Sequence, residues 1–365
     1  MTFMAINPAT GEAIATYAET SSGQVARIIE RAHQAHLGWR GEPGAERAAR
    51  LTALGALLRE RAHDYGQLMT VEMGKPLAQA VAEAEKCGWV CDYYAENAER
   101  FLAPVPAPTD AATSYWVHRP LGVVLGIMPW NFPFWQVVRF AAPAITAGNA
   151  ILLKHAPCVP GCAEALETLF ADAGYPAGLF ANLFIDVEAT GEVIDHELVR
   201  AVSLTGSVRA GRAVASRAGA AIKKCVLELG GSDPSLVLAD ADLDAAVASC
   251  ALGRLFNSGQ SCVAAKRFVV VDAIRDAFEQ KLRKAREKGD IPRSTELNVA
   301  AMYLGAWLAF GVGAGFAVNQ WLSMASRAMG AEGWPLNSSF ALATSLAQFA
   351  AIGLIGLTMV PALAI

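Results

Sequence analysis

Cys262 closes the stretch Phe256-Asn257-Ser258-Gly259-Gln260-Ser261-Cys262, a small, polar, glycine-containing turn that follows a helical pattern. A thiol in such a turn is accessible and near backbone amides, which suits a reactive thiolate. A loop cysteine is equally compatible with an inert side chain. Glu228 stands in Leu227-Glu228-Leu229-Gly230-Gly231, at the end of a strand-like run. Partial burial there would raise its pKa and suit a general base; the plain alternative is a strand-end carboxylate facing solvent. Asn131 lies in Pro129-Trp130-Asn131-Phe132-Pro133, between a strand pattern and a helix pattern. A rigid turn before a helix can hold a side-chain amide where an oxyanion develops, although Asn also serves as a helix cap. Lys154 ends an apolar run, from which a cation can reach a ribose or phosphate. Thr205-Gly206-Ser207 opens a helical stretch whose first amides can face a phosphate. The spacing from Gly206 to Gly211 is not the GxGxxG fingerprint, so this signal is weak by itself.

The elements that must position these residues change character along the chain. Ser21 or Ser22 can cap a helix that ends near Gly38, and further helices are expected from Ala45 to Val71 and from Pro76 to about Arg100. Pro104, Pro106 and Pro108 break that pattern. Strand patterns at 115–117, 122–127, 150–154, 180–184, 200–204 and 224–228 then alternate with helical ones at 135–145, 162–173 and 211–218. That rhythm predicts an α/β fold with a doubly wound parallel sheet, which binds ligands beyond the carboxyl ends of its strands. A further unit carries strand patterns at 235–238 and 267–271 and helical patterns at 243–255 and 274–288.

Composition bounds the function classes. The chain has 365 residues, enough for two domains, and its net charge of −4 gives no reason to expect a nucleic-acid partner. Seven cysteines, an odd number with no CxxC pair, and six scattered histidines point to a reducing compartment and away from a zinc site. The first eleven residues carry no signal-peptide pattern, so a cytoplasmic location is expected. The apolar fraction is 54%, and its excess is not spread evenly along the chain. Residues 299–320 and 340–365 are free of charge and long enough to cross roughly 30 Å of hydrocarbon as helices. If both span, the basic residues from Lys281 to Arg293 place the preceding part on the cytoplasmic side of a membrane. Two buried helices of a globular domain are the bland alternative.

Taken together, the motifs resemble the aldehyde dehydrogenase superfamily over about residues 5–289. Pro-Trp-Asn-Phe-Pro, the strand-end Lys154, Leu-Thr-Gly-Ser, Glu-Leu-Gly-Gly and Asn-x-Gly-Gln-x-Cys occur in the family's order, with 34 residues from Glu228 to Cys262. The sequences around Lys154, Gly206 and Glu228 are most similar to the bacterial succinate-semialdehyde dehydrogenase branch. The resemblance implies an aldehyde-dehydrogenase-like fold: an NAD(P)-binding domain over 1–227, with a strand-rich oligomerisation segment near 110–126, and a partial α/β catalytic domain over 228–289. The remaining 290–365 would be an apolar tail with two candidate transmembrane helices. It also implies roles. Cys262 would attack the aldehyde to form a thiohemiacetal and then a thioester, Asn131 would hold the oxyanion, and Glu228 would activate the hydrolytic water, with no metal needed. Ile127, Pro129, Trp130, Lys154, His155, Ala156, Pro157, Gly206, Ser207 and Leu229 match cofactor-contact positions. Members strict for NAD often carry a Glu where Pro157 stands, so NAD or NADP is expected. Arg139 matches an arginine that meets the far carboxylate of succinate semialdehyde. A second such arginine of some members is replaced by Phe256, with Arg254 two residues off.

The resemblance stops after the nucleophile. The family's Glu-x-Phe-Gly-Pro stretch has no counterpart, and neither has the C-terminal strand through which its members pair as homo-oligomers. The strand near 267–271 would then have unpaired edges, and the cleft would be open to water. Two alternatives to a working dehydrogenase follow: an inactive, membrane-tethered nucleotide-binding remnant, or a chimeric chain.

Overall fold

The structure, a computed structural model, describes residues 2–287, with side chains through 285. It opens with an antiparallel pair, β1 (Thr2–Ile6) and β2 (Ala13–Ala18). A helical layer follows: α1 (Ser22–Trp39), α2 (Gly44–Glu60), α3 (Ala62–Met73) and α4 (Leu77–Leu102). Ser21 starts α1, and its backbone N–H donates to the Gln24 side chain at 2.8 Å, half of a capping box. The single helix expected from 45 to 71 is two, broken at Arg61 (φ −100°, ψ 17°). No Gly or Pro marks the break. Instead, Arg61 reaches Asp172 at 2.5 Å, and the bend lets both helices lie along α4. Gly55 of α2 and Gly88 of α4 allow that approach, since a Cβ on Gly55 would stand 3.0 Å from the Gly88 carbonyl oxygen.

A short antiparallel pair, β3 (Val105–Pro106) and β4 (Tyr115–Trp116), leads into the alternating part. Its elements are β5 (Val123–Ile127), α5 (Trp135–Thr146), β6 (Ala150–Lys154), α6 (Pro160–Asp172), β7 (Phe180–Asn182), α7 (Val187–Asp195), β8 (Val199–Gly206), α8 (Val208–Ala220) and β9 (Lys224–Leu229). The five strands are parallel, in the order β7-β6-β5-β8-β9. β5 to β8 are almost wholly buried apolar runs, as a sheet covered on both faces requires. The chain winds from β5 to one side and then to the other, so the switch point lies beyond the carboxyl ends of β5 and β8. The doubly wound sheet is thus as the sequence predicts; β1, β2 and α7 were not anticipated. α7 is short, and its start is fixed by the Asp186 side chain accepting from the Ala189 N–H at 2.8 Å.

The last described elements are β10 (Pro234–Val237), α9 (Leu243–Leu255), β11 (Arg267–Val270) and α10 (Asp272–Glu287). β11 pairs in parallel with β10, so one of the edges expected to be bare is covered; among the described residues no third strand joins them. No helix among the described residues is long and apolar enough to cross a membrane. The stretches 299–320 and 340–365, read as candidate spans, lie outside the described residues.

Two buried groups hold the turn that carries Asn131. Glu83 of α4 is 5% exposed and accepts the backbone N–H groups of Phe134 and Trp135, at 3.0 and 2.9 Å, where α5 begins. It also pairs with the fully buried Lys75, whose ammonium lies 3.8 Å from the Phe132 ring centre. Burial pushes the Glu83 carboxyl up and the Lys75 ammonium down, and each partner opposes the other's shift. From the other side, His155 Nε2–H donates to the Pro133 carbonyl at 2.9 Å, while Nδ1 accepts from the Ala156 N–H.

Two outcomes are expected. Ile222 is 94% exposed and left-handed (φ 54°), a conformation costly for a β-branched residue. Ile222→Gly should therefore stabilise the protein by about 1 kcal/mol, read by denaturant melts; no gain would remove the strain argument. Burial lowers the pKa of His155 to about 4 from an ordinary 6.5, partly offset by its bond to Pro133. Its folded form stays neutral while the unfolded form takes up a proton. Its contribution to stability is thus complete above pH 6.5 and lost as pH falls toward 4, by about 3 kcal/mol at the low end. Glu72, Glu83 and Glu167 are raised by burial and act in the opposite sense, so the comparison must be differential. Across this window His155→Gln should lose less stability than the parent chain; parallel losses would rule out His155 as the source.

Candidate active site

The sheet register brings four of the predicted cofactor residues to one edge of the sheet. Ile127 at the end of β5 pairs with Lys154 at the end of β6 and with Leu204 of β8. Gly206 of β8 pairs with Leu229 of β9. Ile127, Lys154, Gly206 and Leu229 therefore share the carboxyl edge of the sheet, where parallel sheets take ligands. Ser207 accepts the Ala210 N–H at 3.2 Å and caps α8, so the first amides of this helix begin at that edge. Gly211, one turn on, is needed for packing: a Cβ there would meet the Leu229 side chain at 2.8 Å. Lys154 is half-buried, and burial lowers its pKa, with Cys158 and Asp186 opposing the shift. A partly desolvated ammonium at a strand end is chemically suited to an anionic or polyhydroxyl ligand, and this donor set fits a dinucleotide. His155 is a different case. Its ring is turned inward onto Pro133 and Ala156, so among the predicted contacts it offers a ligand only its backbone.

Cys262 is half-exposed and follows a 3-10 turn, Phe256–Gly259, after α9. This loop is tied to the Asn131 turn. Asn131 Nδ2 donates to the Gln260 carbonyl at 2.7 Å, and Asn257 Nδ2 donates to the Asn131 carbonyl at 2.7 Å. Phe132 and Phe256 stack with centres 5.8 Å apart, so the residue standing in place of the second arginine packs the two segments together. Arg254 instead reaches the Gly259 carbonyl at 3.4 Å. Asn131 does not cap α5, since Glu83 serves those amides. Its amide is aimed at the loop that ends in the thiol.

Glu228 differs from the expectation of partial burial. Its side chain is 55% exposed, and its carboxylate stands 3.6 Å from Arg139 Nη2. The physical reason is the position of β9 at the sheet edge, with Lys224, Val226 and Glu228 all exposed along one face. Arg139 of α5 is also fixed by Gln136 at 2.9 Å and Thr205 at 3.4 Å. Trp135, Arg139, Phe140, Thr205 and Glu228 line a cleft of about 490 Å³ along this face. A larger one, about 740 Å³, lies between β2, the start of α1 and α7, away from every predicted site residue. Among the described residues no group of His, Cys, Asp and Glu is arranged to hold a metal. The sequence reading missed Glu83, Lys75, Gln79 and Asn257 as site residues. Asn257 was within a quoted motif, whereas the others carry no local signal and only the tertiary packing of α4 brings them in.

Comparison with known proteins agrees with this fold. A curated relative from Synechocystis sp., a probable succinate-semialdehyde dehydrogenase [NADP(+)], is 47% identical over 285 residues, covering 78% of this chain and 63% of the relative. The succinate semialdehyde dehydrogenase [NAD(P)+] Sad of Escherichia coli is 44% identical, covering 80% of this chain and 64% of the relative. The crystal structure of succinic semialdehyde dehydrogenase from Streptococcus pyogenes with NADP+ superposes with a TM-score of 0.79 at 36% identity, covering 85% of this chain and 71% of that one. The chain thus spans a little under two thirds of the length of these curated relatives. Residues 274–365 match a second family, FlhB HrpN YscU SpaS. The aldehyde dehydrogenase family matches residues 1–303, which take in the whole sheet, the Asn131 turn and Cys262, and the chain belongs to that family.

Proposed function

We propose that this chain oxidises an aldehyde, succinate semialdehyde above others, with NADP or NAD as the hydride acceptor and Cys262 as the nucleophile. The observation that carries the reading is the pair of hydrogen bonds holding the Asn131 turn against the Cys262 loop. The relatives' names and the absence of a carboxylate at Pro157 support NADP as well as NAD.

The chemistry follows from these groups. The Cys262 thiolate adds to the aldehyde carbon, and the carbonyl electron pair moves to oxygen. One N–H of the Asn131 amide is taken by Gln260, which leaves the second, with the Cys262 backbone N–H, for that oxyanion. Lys154, Trp130, Ser207 and the backbone near Ile127 and Leu229 would hold the dinucleotide. When bound, it supplies the hydride acceptor. Loss of hydride leaves a thioester on Cys262. Glu228 accepts a proton from the water that attacks it, and acid and thiol are released. Arg139 faces the same cleft as Glu228 and meets the far carboxylate of the substrate.

A second reading is favoured by the match of residues 274–365 to another family. A dehydrogenase segment is joined there to an unrelated one, tethered through 299–320 and 340–365 to a membrane, and retains a nucleotide site with little turnover. Persistence with membranes after an alkaline carbonate wash supports the tether, and full release into the supernatant removes it.

With the full chain in mild detergent, Cys262→Ala should abolish reduction of NADP or NAD by succinate semialdehyde; reduction that survives in this variant, or none in the parent, overturns the reading. Arg139→Gln should raise KM for succinate semialdehyde at least tenfold, as loss of a charged hydrogen bond implies, and leave KM for uncharged butanal within a few-fold. Equal effects on both would deny Arg139 its role in recognition.

A further inference from the structure

We propose that Gln79 and Asn257 are positioning residues that set the register between the thiol loop and the oxyanion-holding turn; the inference rests on the roles of Cys262 and Asn131 given above. Asn257 is fully buried, and its backbone is left-handed (φ 56°), as is that of Ser258 (φ 55°). Its Nδ2 bridges the carbonyl oxygens of Asn131, at 2.7 Å, and Gln260, at 3.4 Å. That sets the orientation of the amide, because the flipped one would press Oδ1 against two acceptors. Its own N–H donates to Gln79 Oε1 at 2.7 Å.

Among the described residues, the buried side-chain oxygens of both Asn131 and Asn257 have no hydrogen-bond partner. A left-handed pair of non-glycine residues and two unpaired buried acceptors are costs that simple scaffolding does not require. They coincide at the junction of the two segments that meet the substrate carbonyl. Gln79 and Glu83 lie one turn apart on α4, so they share a face of that helix. Glu83 holds the Asn131 turn and Gln79 holds the Cys262 loop. α4 is thus the ruler between nucleophile and oxyanion donor, and Asn257 is the clamp that closes the gap.

The test uses the full chain and three variants: Gln79→Leu, which removes the acceptor; Gln79→Glu, which restores one; and Asn257→Gly, which keeps the left-handed backbone and removes the side chain. Hydrogen exchange is followed over 129–133 and 256–262, and iodoacetamide labelling of Cys262 is followed by peptide mass spectrometry across pH, with the exposed Cys158 as internal reference. Gln79→Leu and Asn257→Gly should each speed exchange in both segments about tenfold, the equivalent of one lost hydrogen bond. They should also move the pH midpoint of Cys262 labelling, leaving Cys158 labelling as it was, and Gln79→Glu should behave as the parent. Unchanged exchange over 129–133, or a fall in melting temperature with the midpoint of Cys262 in place, overturns the proposal. Parent protein whose Cys262 labels but yields no aldehyde oxidation counts against the proposed function alone, since the exchange readout stands without turnover.

Discussion

The site depends on one buried ion pair. Glu83 and Lys75 are both withdrawn from water, which costs each several kcal/mol in solvation. Their mutual attraction returns part of this, and the remaining lone pairs of Glu83 take the first two amides of α5. The carboxylate therefore neutralises Lys75 and satisfies a helix N-terminus at once, a position where negative charge is favoured. An apolar pair of equal volume could fill the space, but it would leave those amides orphaned. Glu72 of α3 repeats the device, accepting the Gly161 and Cys162 N–H groups at the start of α6, at 2.7 and 2.9 Å. The helical layer thus grips the sheet domain by the starts of two of its helices.

From that grip the site is assembled outward. α4 fixes α5 and hence the turn before it. His155 ties the same turn to the end of β6, the strand that presents Lys154. Asn131 and Asn257 then join the turn to the loop of Cys262. Each link is a hydrogen bond between a side chain and a backbone group, so the positions of the candidate site residues are set by main-chain geometry. Arg139 and Glu228 lie on the more open side, where their contact is long and partly solvated. Such a pair contributes little to stability. It leaves the two groups free to exchange partners with a carboxylate or a water.

Much of this was legible in the sequence. The short apolar runs ending at Ile127 and Lys154 marked parallel strands because strands covered on both faces carry continuous apolar residues. The Pro-Trp-Asn-Phe-Pro and Asn-x-Gly-Gln-x-Cys motifs marked the two loops that the fold brings together. The break at Arg61 was not legible, since no local signal marks it and the partner of that residue, Asp172, is 111 residues away. The burial of Glu83 and Lys75 was hidden because nothing local marks it; only tertiary packing takes them out of water. The exposure of Glu228 was left open because sequence shows a strand end but not whether that strand lies at the edge of its sheet.

That edge has a practical side. β9 is the outermost described strand of a five-stranded sheet, and among the described residues no strand pairs with its outer side, the kind of edge to which another chain can add. Lys224 and Glu228 flank the exposed Val226 there, as charges that discourage such pairing. Glu228 therefore contributes a charge to this edge besides the role proposed for it above. A neutral side chain in its place removes one of two sentries from a sticky strand. Loss of turnover in such a protein has to be read together with its light scattering, because particles and a missing base produce the same flat trace.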